Sequence, residues 1–211
     1  MQPPSSMYFE TLEASQTKGC PVCRLLNGVV AEYLKNLLYE NVNDGPTRES
    51  LRASLGFCRT HAEAFLSSGN PLGIAIIYRD ILQEIVVTLH KRQNSFSSPS
   101  AECPACTQRN CFSLFYIDTL REHFTDEKMM EALRFCGGLC RIHLTDLFAK
   151  PMQEPSRSDI LRLHTGSVGA LRKQLSEFTR KQDIQFKNET MTDEEASACS
   201  TAIAFMVGTT S

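Results

Sequence analysis

An all-α fold is predicted by three observations. A whole string of residues recurs in order along the chain, apolar residues recur in helical steps, and no convincing β alternation is found anywhere. Cys20-Pro21-Val22-Cys23 returns as Cys103-Pro104-Ala105-Cys106, 83 positions on, and Gly56-Phe57-Cys58-Arg59-Thr60-His61 returns as Gly138-Leu139-Cys140-Arg141-Ile142-His143, 82 positions on. Just before the second motif, Glu49, Leu51 and Arg52 match Glu131, Leu133 and Arg134. One cysteine pair recurring means little, but the complete ordered string marks a tandem duplication. The expected organisation is a first repeat over 1–94, a serine-rich linker over 95–102, and a second repeat with a C-terminal helix over 103–211. The two repeats are expected to pack as a pseudo-two-fold pair sharing one core.

The first repeat opens with Pro21 in the first turn of a helix, where its missing N–H costs nothing. Leu25, Leu26, Val29, Val30, Tyr33, Leu34, Leu37 and Leu38 then recur in steps of one, three and four, an apolar helix stripe. Asn41 to Pro46 is a cluster of turn formers. A short helix follows from about Thr47 and halts near Gly56, and Cys58 opens another that ends near Ser67-Ser68-Gly69-Asn70-Pro71. A longer helix carries Ile74, Ile77, Ile81, Ile85 and Leu89, with basic His90, Lys91 and Arg92 at its end. The second repeat follows the same plan. Its first helix carries Leu114, Phe115, Ile117 and Leu120, and Thr125-Asp126-Glu127 caps the next. The ligand-bearing helix runs to about Lys150, and a long one from about Ser158 contains Gly166 and Gly169, which weaken or bend it. A last helix capped by Thr192-Asp193-Glu194-Glu195 ends at Gly208.

The 211 residues carry a net charge of −2, with 42% hydrophobic and 22% charged residues. This is ordinary globular composition, and it argues against charge-driven adhesion to nucleic acid or membrane. No signal peptide is read in Met1 to Thr11, and no apolar run approaches the ~20 residues needed to span a bilayer. A cytoplasmic location is therefore expected, and nine cysteines there point to metal or redox chemistry before disulfides.

The two-residue gap of C-P-x-C sets two sulfurs on one side of a tight turn, and C-R-x-H places two ligands on one helix face. Within each repeat this makes a quartet: Cys20, Cys23, Cys58 and His61 in the first, Cys103, Cys106, Cys140 and His143 in the second. Each is expected to hold one zinc ion, stapling its repeat across more than thirty residues. Four protein ligands leave no open position, so the sites are expected to be structural rather than catalytic. Iron–sulfur clusters on the same ligands, or thiol redox chemistry at the C-P-x-C pairs, are the alternatives. Haem attachment is excluded because Arg24 and Thr107 stand where C-x-x-C-H needs histidine.

Arg59 and Arg141 either donate to the thiolates or point to solvent. Cys111, Cys136 and Cys199 read as small core residues, with Cys136 a possible stand-by ligand, and Met129-Met130 as core filler. His90, His123 and His164 read as surface residues. Nucleotide-binding, serine-hydrolase, zinc-protease and Rossmann motifs are missing. The expected role is a binding or regulatory scaffold for another protein or a small ligand.

With these strings in view, the chain resembles an uncharacterised bacterial family, a domain of unknown function with duplicated C-P-x-C and G-F-C-x-x-H motifs. The resemblance rests on the eight ligand positions, with Leu139 standing where the motif has Phe. It implies a bacterial intracellular protein and supplies no activity.

Overall fold

The computed structural model describes residues 6–90, 99–186 and 188–209, and among them every regular element is helical. In order these are α1 (Ser6–Ala14), α2 (Pro21–Tyr39), α3 (Gly45–Ala53), α4 (Arg59–Leu66) and α5 (Pro71–His90). They are followed by α6 (Pro104–His123), α7 (Glu127–Cys136), α8 (Arg141–Phe148), α9 (Ser156–Lys181) and α10 (Asp193–Val207), with a 3-10 turn at Ile184–Phe186. The caps follow from sequence chemistry. Asp44 accepts from the Thr47 amide at 2.9 Å, and Asp126 from the Lys128 amide at 2.8 Å. Thr192 and Glu195 close a reciprocal capping box. α9 runs unbroken through Gly166 and Gly169. The expected linker residues 95–98, and Lys91 and Arg92, lie outside the described residues.

The chain forms two compact units that do not follow the repeats. One comprises Met1–Leu25 and Leu114–Thr210, the other Leu26–Ser113. Each unit thus takes the start of one repeat and most of the other.

In the unit over 26–113, Val30, Leu34, Leu37 and Leu38 of α2 pack with Leu51 of α3, Phe65 of α4, and Ile77 and Ile81 of α5. Burying each such side chain stabilises by roughly 1.5–3 kcal/mol. Arg48 and Arg52 of α3 both reach Asp80 of α5, at 3.1 and 2.7 Å. Leu82, Val86 and Leu89 of α5 are exposed.

In the other unit, Met129, Met130 and Leu133 of α7 are buried, and Leu133 matches the equally buried Leu51 of the first repeat. α10 lies along α9 and against α8. Helix α1 has no counterpart among the sequence expectations. Its nine residues are tied by long-range contacts instead, with Tyr8 donating to Asp126 and Tyr116 donating to Glu10, both at 2.8 Å. Contacts more than 100 residues apart leave no local periodicity to read.

Candidate metal centres

Cys58 and Cys140 are the N-cap residues of α4 and α8. Their backbones agree closely (φ −63, ψ 165 and φ −68, ψ 165), and neither side chain makes a capping bond. The sulfurs turn instead toward His61 and His143, one turn along each helix, at 3.3 and 3.2 Å from Nδ1. Ahead of each cysteine stands a glycine at positive φ, Gly56 at +89° and Gly138 at +88°. These glycines allow the sharp entry into the turn without a Cβ penalty.

All eight predicted residues converge, but not as the repeats suggest. Cys20 and Cys23 meet Cys140 and His143, while Cys58 and His61 meet Cys103 and Cys106, with the donor atoms of each quartet within 4.8 Å of one another. The expected grouping of four ligands within each repeat is therefore corrected: each quartet draws one pair from each repeat. The physical reason lies in the local geometry. The 19 residues of α2 run about 28 Å and the nine of α3 only about 14 Å, so a chain leaving Cys23 does not return Cys58 to it.

Backbone docking fixes the crossed pairing. The Gly19 amide, next to Cys20, donates to the Cys136 carbonyl at 2.9 Å, four residues before Cys140. The Ser100 amide, just before Cys103, donates to the Ala53 carbonyl at 2.9 Å, five residues before Cys58. Arg24 secures the approach to Cys20 by donating to the Ala14 carbonyl and, at 2.8 Å, to that of Lys18.

The spacings within each quartet match the edges of a tetrahedron. In the first, His143 Nδ1 lies 3.4 Å from Cys20 Sγ, 3.4 Å from Cys23 Sγ and 3.2 Å from Cys140 Sγ. Cys23 and Cys140 are 3.6 Å apart. In the second, His61 Nδ1 lies 3.3, 3.5 and 3.3 Å from Cys58, Cys103 and Cys106, and Cys58 and Cys106 are 3.7 Å apart. A tetrahedral ion with metal–sulfur bonds near 2.3 Å and metal–nitrogen bonds near 2.0–2.1 Å needs edges of about 3.8 and 3.6 Å. One ring N–H cannot donate well to three sulfurs at once, whereas one ion at the centre satisfies all four groups. The sulfurs are also far beyond the roughly 2.05 Å of a disulfide, and the cysteines are free. Two Cys/His clusters that can hold a metal ion are thus present, the first buried throughout and the second only in part.

Electrostatics agree with that use. In the first quartet, shared hydrogen bonds with Cys140 and Cys23 push the Cys20 thiol well up, and burial adds to the shift. The bonds from Cys140 and Cys20 drive Cys23 far down. Burial opposes charge on His143, but bonds to Cys140 and Cys23 outweigh it and carry the ring up to about 9. In the second quartet, burial and then the Cys58 contact raise Cys106 to about 12, while burial and Arg109 lower His61. Protons are divided unevenly among the ligands, and a cation that displaces them meets all the sulfurs together.

The surroundings of the two quartets differ. All four members of the first are buried. The end of α10 lies over it: Arg141 Nε donates to the Met206 carbonyl at 3.2 Å, and the Thr209 backbone bonds to Cys23. A Cβ at Gly208 would sit 3.1 Å from Cys23 Sγ and 3.9 Å from Cys140 Sγ, so only glycine, here at φ +78°, approaches so closely. In the second quartet His61 and Cys103 are buried, Cys106 is half-buried and Cys58 lies toward solvent.

Several neighbours depart from expectation. His164 is not a surface residue but is 5% exposed, with Nε2 accepting the Leu139 amide at 2.9 Å and Nδ1 bonded to the Ile160 carbonyl at 2.8 Å. It braces the turn that presents Cys140. In the first repeat the Tyr78 hydroxyl faces the Phe57 amide in the same way. The signal was readable only as a polar residue on the long helix after each motif, 21 and 25 positions beyond the braced amide. Arg59 points to solvent and pairs with Glu63 at 3.2 Å, and neither it nor Arg141 donates to a thiolate in the bonds seen. Cys111 and Cys199 are exposed rather than core residues, while Cys136, Met129 and Met130 are buried as expected. Cys136 bonds to the Leu133 carbonyl and lies outside both quartets. His123 is half-buried against the Tyr8 ring, at 4.7 Å between centroids, and His90 is exposed.

Comparison with known proteins adds kinship without activity. Residues 11–101 match a family of unknown function (DUF6062). That stretch carries Cys20, Cys23, Cys58 and His61 and stops short of Cys103, so it includes one ligand pair of each quartet. The chain is also similar to an uncharacterized 23.9 kDa protein in the xynA 3′ region of Caldicellulosiruptor sp. (strain Rt8B.4). They are 26% identical over 195 residues, covering 90% of this chain and 95% of that protein. No solved structure matches the chain. No described helix is long and apolar enough to cross a membrane.

Proposed function

We propose that the chain is a zinc-binding helical scaffold that holds one structural ion in each compact unit. The ligands are Cys20, Cys23, Cys140 and His143 in one unit, and Cys58, His61, Cys103 and Cys106 in the other. The observation that carries this reading is the set of donor-atom spacings in the two quartets, 3.2–3.5 Å from histidine nitrogen to sulfur and 3.6–3.7 Å between sulfurs, which suits one tetrahedral ion in each. An iron–sulfur cluster spreads its protein ligands over two or four irons, and donor atoms gathered within 4.8 Å of one another favour a single centre. Zinc suits three thiolates and an imidazole, and with four protein ligands no position is left for substrate. The ions act on folding: each joins segments that a metal-free chain must bring together at the full entropic cost of closing a long loop. The solvent-facing residues Leu82, Val86 and Leu89 on α5 favour a protein over a small molecule as the scaffold's partner.

Plasma emission spectrometry on the purified chain tests the proposal. Two zinc equivalents and a colourless protein are expected. One equivalent or none, or a brown protein absorbing near 400 nm, would overturn it.

A further inference from the structure

We infer that the second quartet is a thiol-oxidation site, in which hydrogen peroxide joins Cys58 to Cys106 and expels the bound ion while the first quartet keeps its own. This rests on the zinc reading above. Both quartets hold a sulfur pair at nearly the same spacing, Cys58–Cys106 at 3.7 Å and Cys23–Cys140 at 3.6 Å. Distance therefore does not distinguish them, and access does. Cys58 lies toward solvent and Cys106 is half-buried, whereas Cys23 and Cys140 are 0% and 2% exposed. Gly208 and Thr209 lie over that buried pair.

The chemistry balances. The Cys58 thiolate attacks one peroxide oxygen and the O–O bond breaks, leaving Cys58 as a sulfenic acid and releasing hydroxide, which takes a proton to become water. The Cys106 thiolate then attacks the Cys58 sulfur, and the sulfenic oxygen leaves as a second hydroxide, protonated to water. Two thiolates are oxidised to one disulfide, one peroxide is reduced to two waters, and two protons are consumed. Only His61 and Cys103 remain as ligands, too few to hold the ion. A dithiol reductant and zinc restore the starting state.

Metal content is measured first, so that failure of the zinc reading is seen before any oxidant is added. Fewer than two zinc equivalents at that stage defeats that reading and the inference with it. The two-zinc protein is then treated with hydrogen peroxide, with zinc release followed by a chromogenic chelator and disulfides mapped by peptide mass spectrometry without reduction. One equivalent is expected to leave roughly tenfold faster than the other, in step with a Cys58–Cys106 link. Release of both ions together, a Cys103–Cys106 link, or first oxidation at Cys20, Cys23 or Cys140 would overturn the inference. A chain ending at Val207 supplies a second measurement, because it uncovers the first quartet. There the two release rates should converge, and an unchanged ratio in a folded, two-zinc shortened chain would refute the role of access. If shortening abolishes folding, the full-length result decides alone.

Discussion

The two quartets share ligand types, helix N-caps, glycine turns and internal spacing, yet one is sealed and the other open. The sealing comes from α10, a helix that follows the second repeat and whose end covers Cys23 and Cys140. Among the described residues the first repeat has no corresponding helix between α5 and the next C-P-x-C. Duplication thus supplied two equivalent ligand sets, and one added helix made their environments unequal. Coordination geometry and access are separable properties, set by different segments.

The strongest test of this comparison breaks the chain between the repeats. Fragments 1–98 and 99–211 each carry two ligands of both quartets and all four of neither, so each alone should bind zinc weakly and lack a cooperative melt. Mixed, they should recover two equivalents. Two separately folded, zinc-loaded fragments would show that the ligands pair within repeats. Next in size are the histidine substitutions. His143→Ala and His61→Ala should each lose one ion, out of binding worth on the order of 10 kcal/mol in zinc-finger peptides. His143→Ala should lower the melting temperature more, because it strands three buried sulfurs. Equal melting curves would remove the energetic distinction between sealed and open sites.

Smaller effects come from the turns. Gly138→Ala should cost more than Gly56→Ala in chemical denaturation. Each puts a Cβ at positive φ, costing about 1–2 kcal/mol. At Gly138 that Cβ would also lie 2.7 Å from His164 Nε2, against 3.4 Å from the Tyr78 hydroxyl at Gly56. The smallest effect concerns pH. Burial lowers the pKa of His164, so the folded state favours the neutral ring that accepts the Leu139 amide. Its contribution is fully present above the ordinary histidine value of about 6.5 and is lost as pH falls through the lower folded value. His164→Gln should flatten that part of the stability profile, and an identical slope in parent and variant would remove His164 from the account.

Most of the helices were legible because their signals are local. Pro21, Asp126 and the Thr192–Glu195 box act within one turn, and the stripe from Val30 to Leu38 is carried on one helix. The eight ligand-type positions were legible for a similar reason, since each pair lies within four consecutive residues. Helix α1, the burial of His164 and the exposure of Cys111 and Cys199 were not, because each depends on what packs against the residue from elsewhere.

What the sequence by itself determined is a set of four two-ligand elements in helical surroundings, ordered C-P-x-C, C-R-x-H, C-P-x-C, C-R-x-H. Their partnership it did not determine, and the expectation that each repeat pairs its own ligands fails, because two ligands at correct local spacing accept a complementary pair from either repeat. Only the tertiary structure decided that Cys23 meets Cys140 across 117 positions and Cys58 meets Cys106 across 48. The rigid length of α2 carries the chain away from its first pair, and the backbone bonds of Gly19 to Cys136 and of Ser100 to Ala53 bring the crossed partners together.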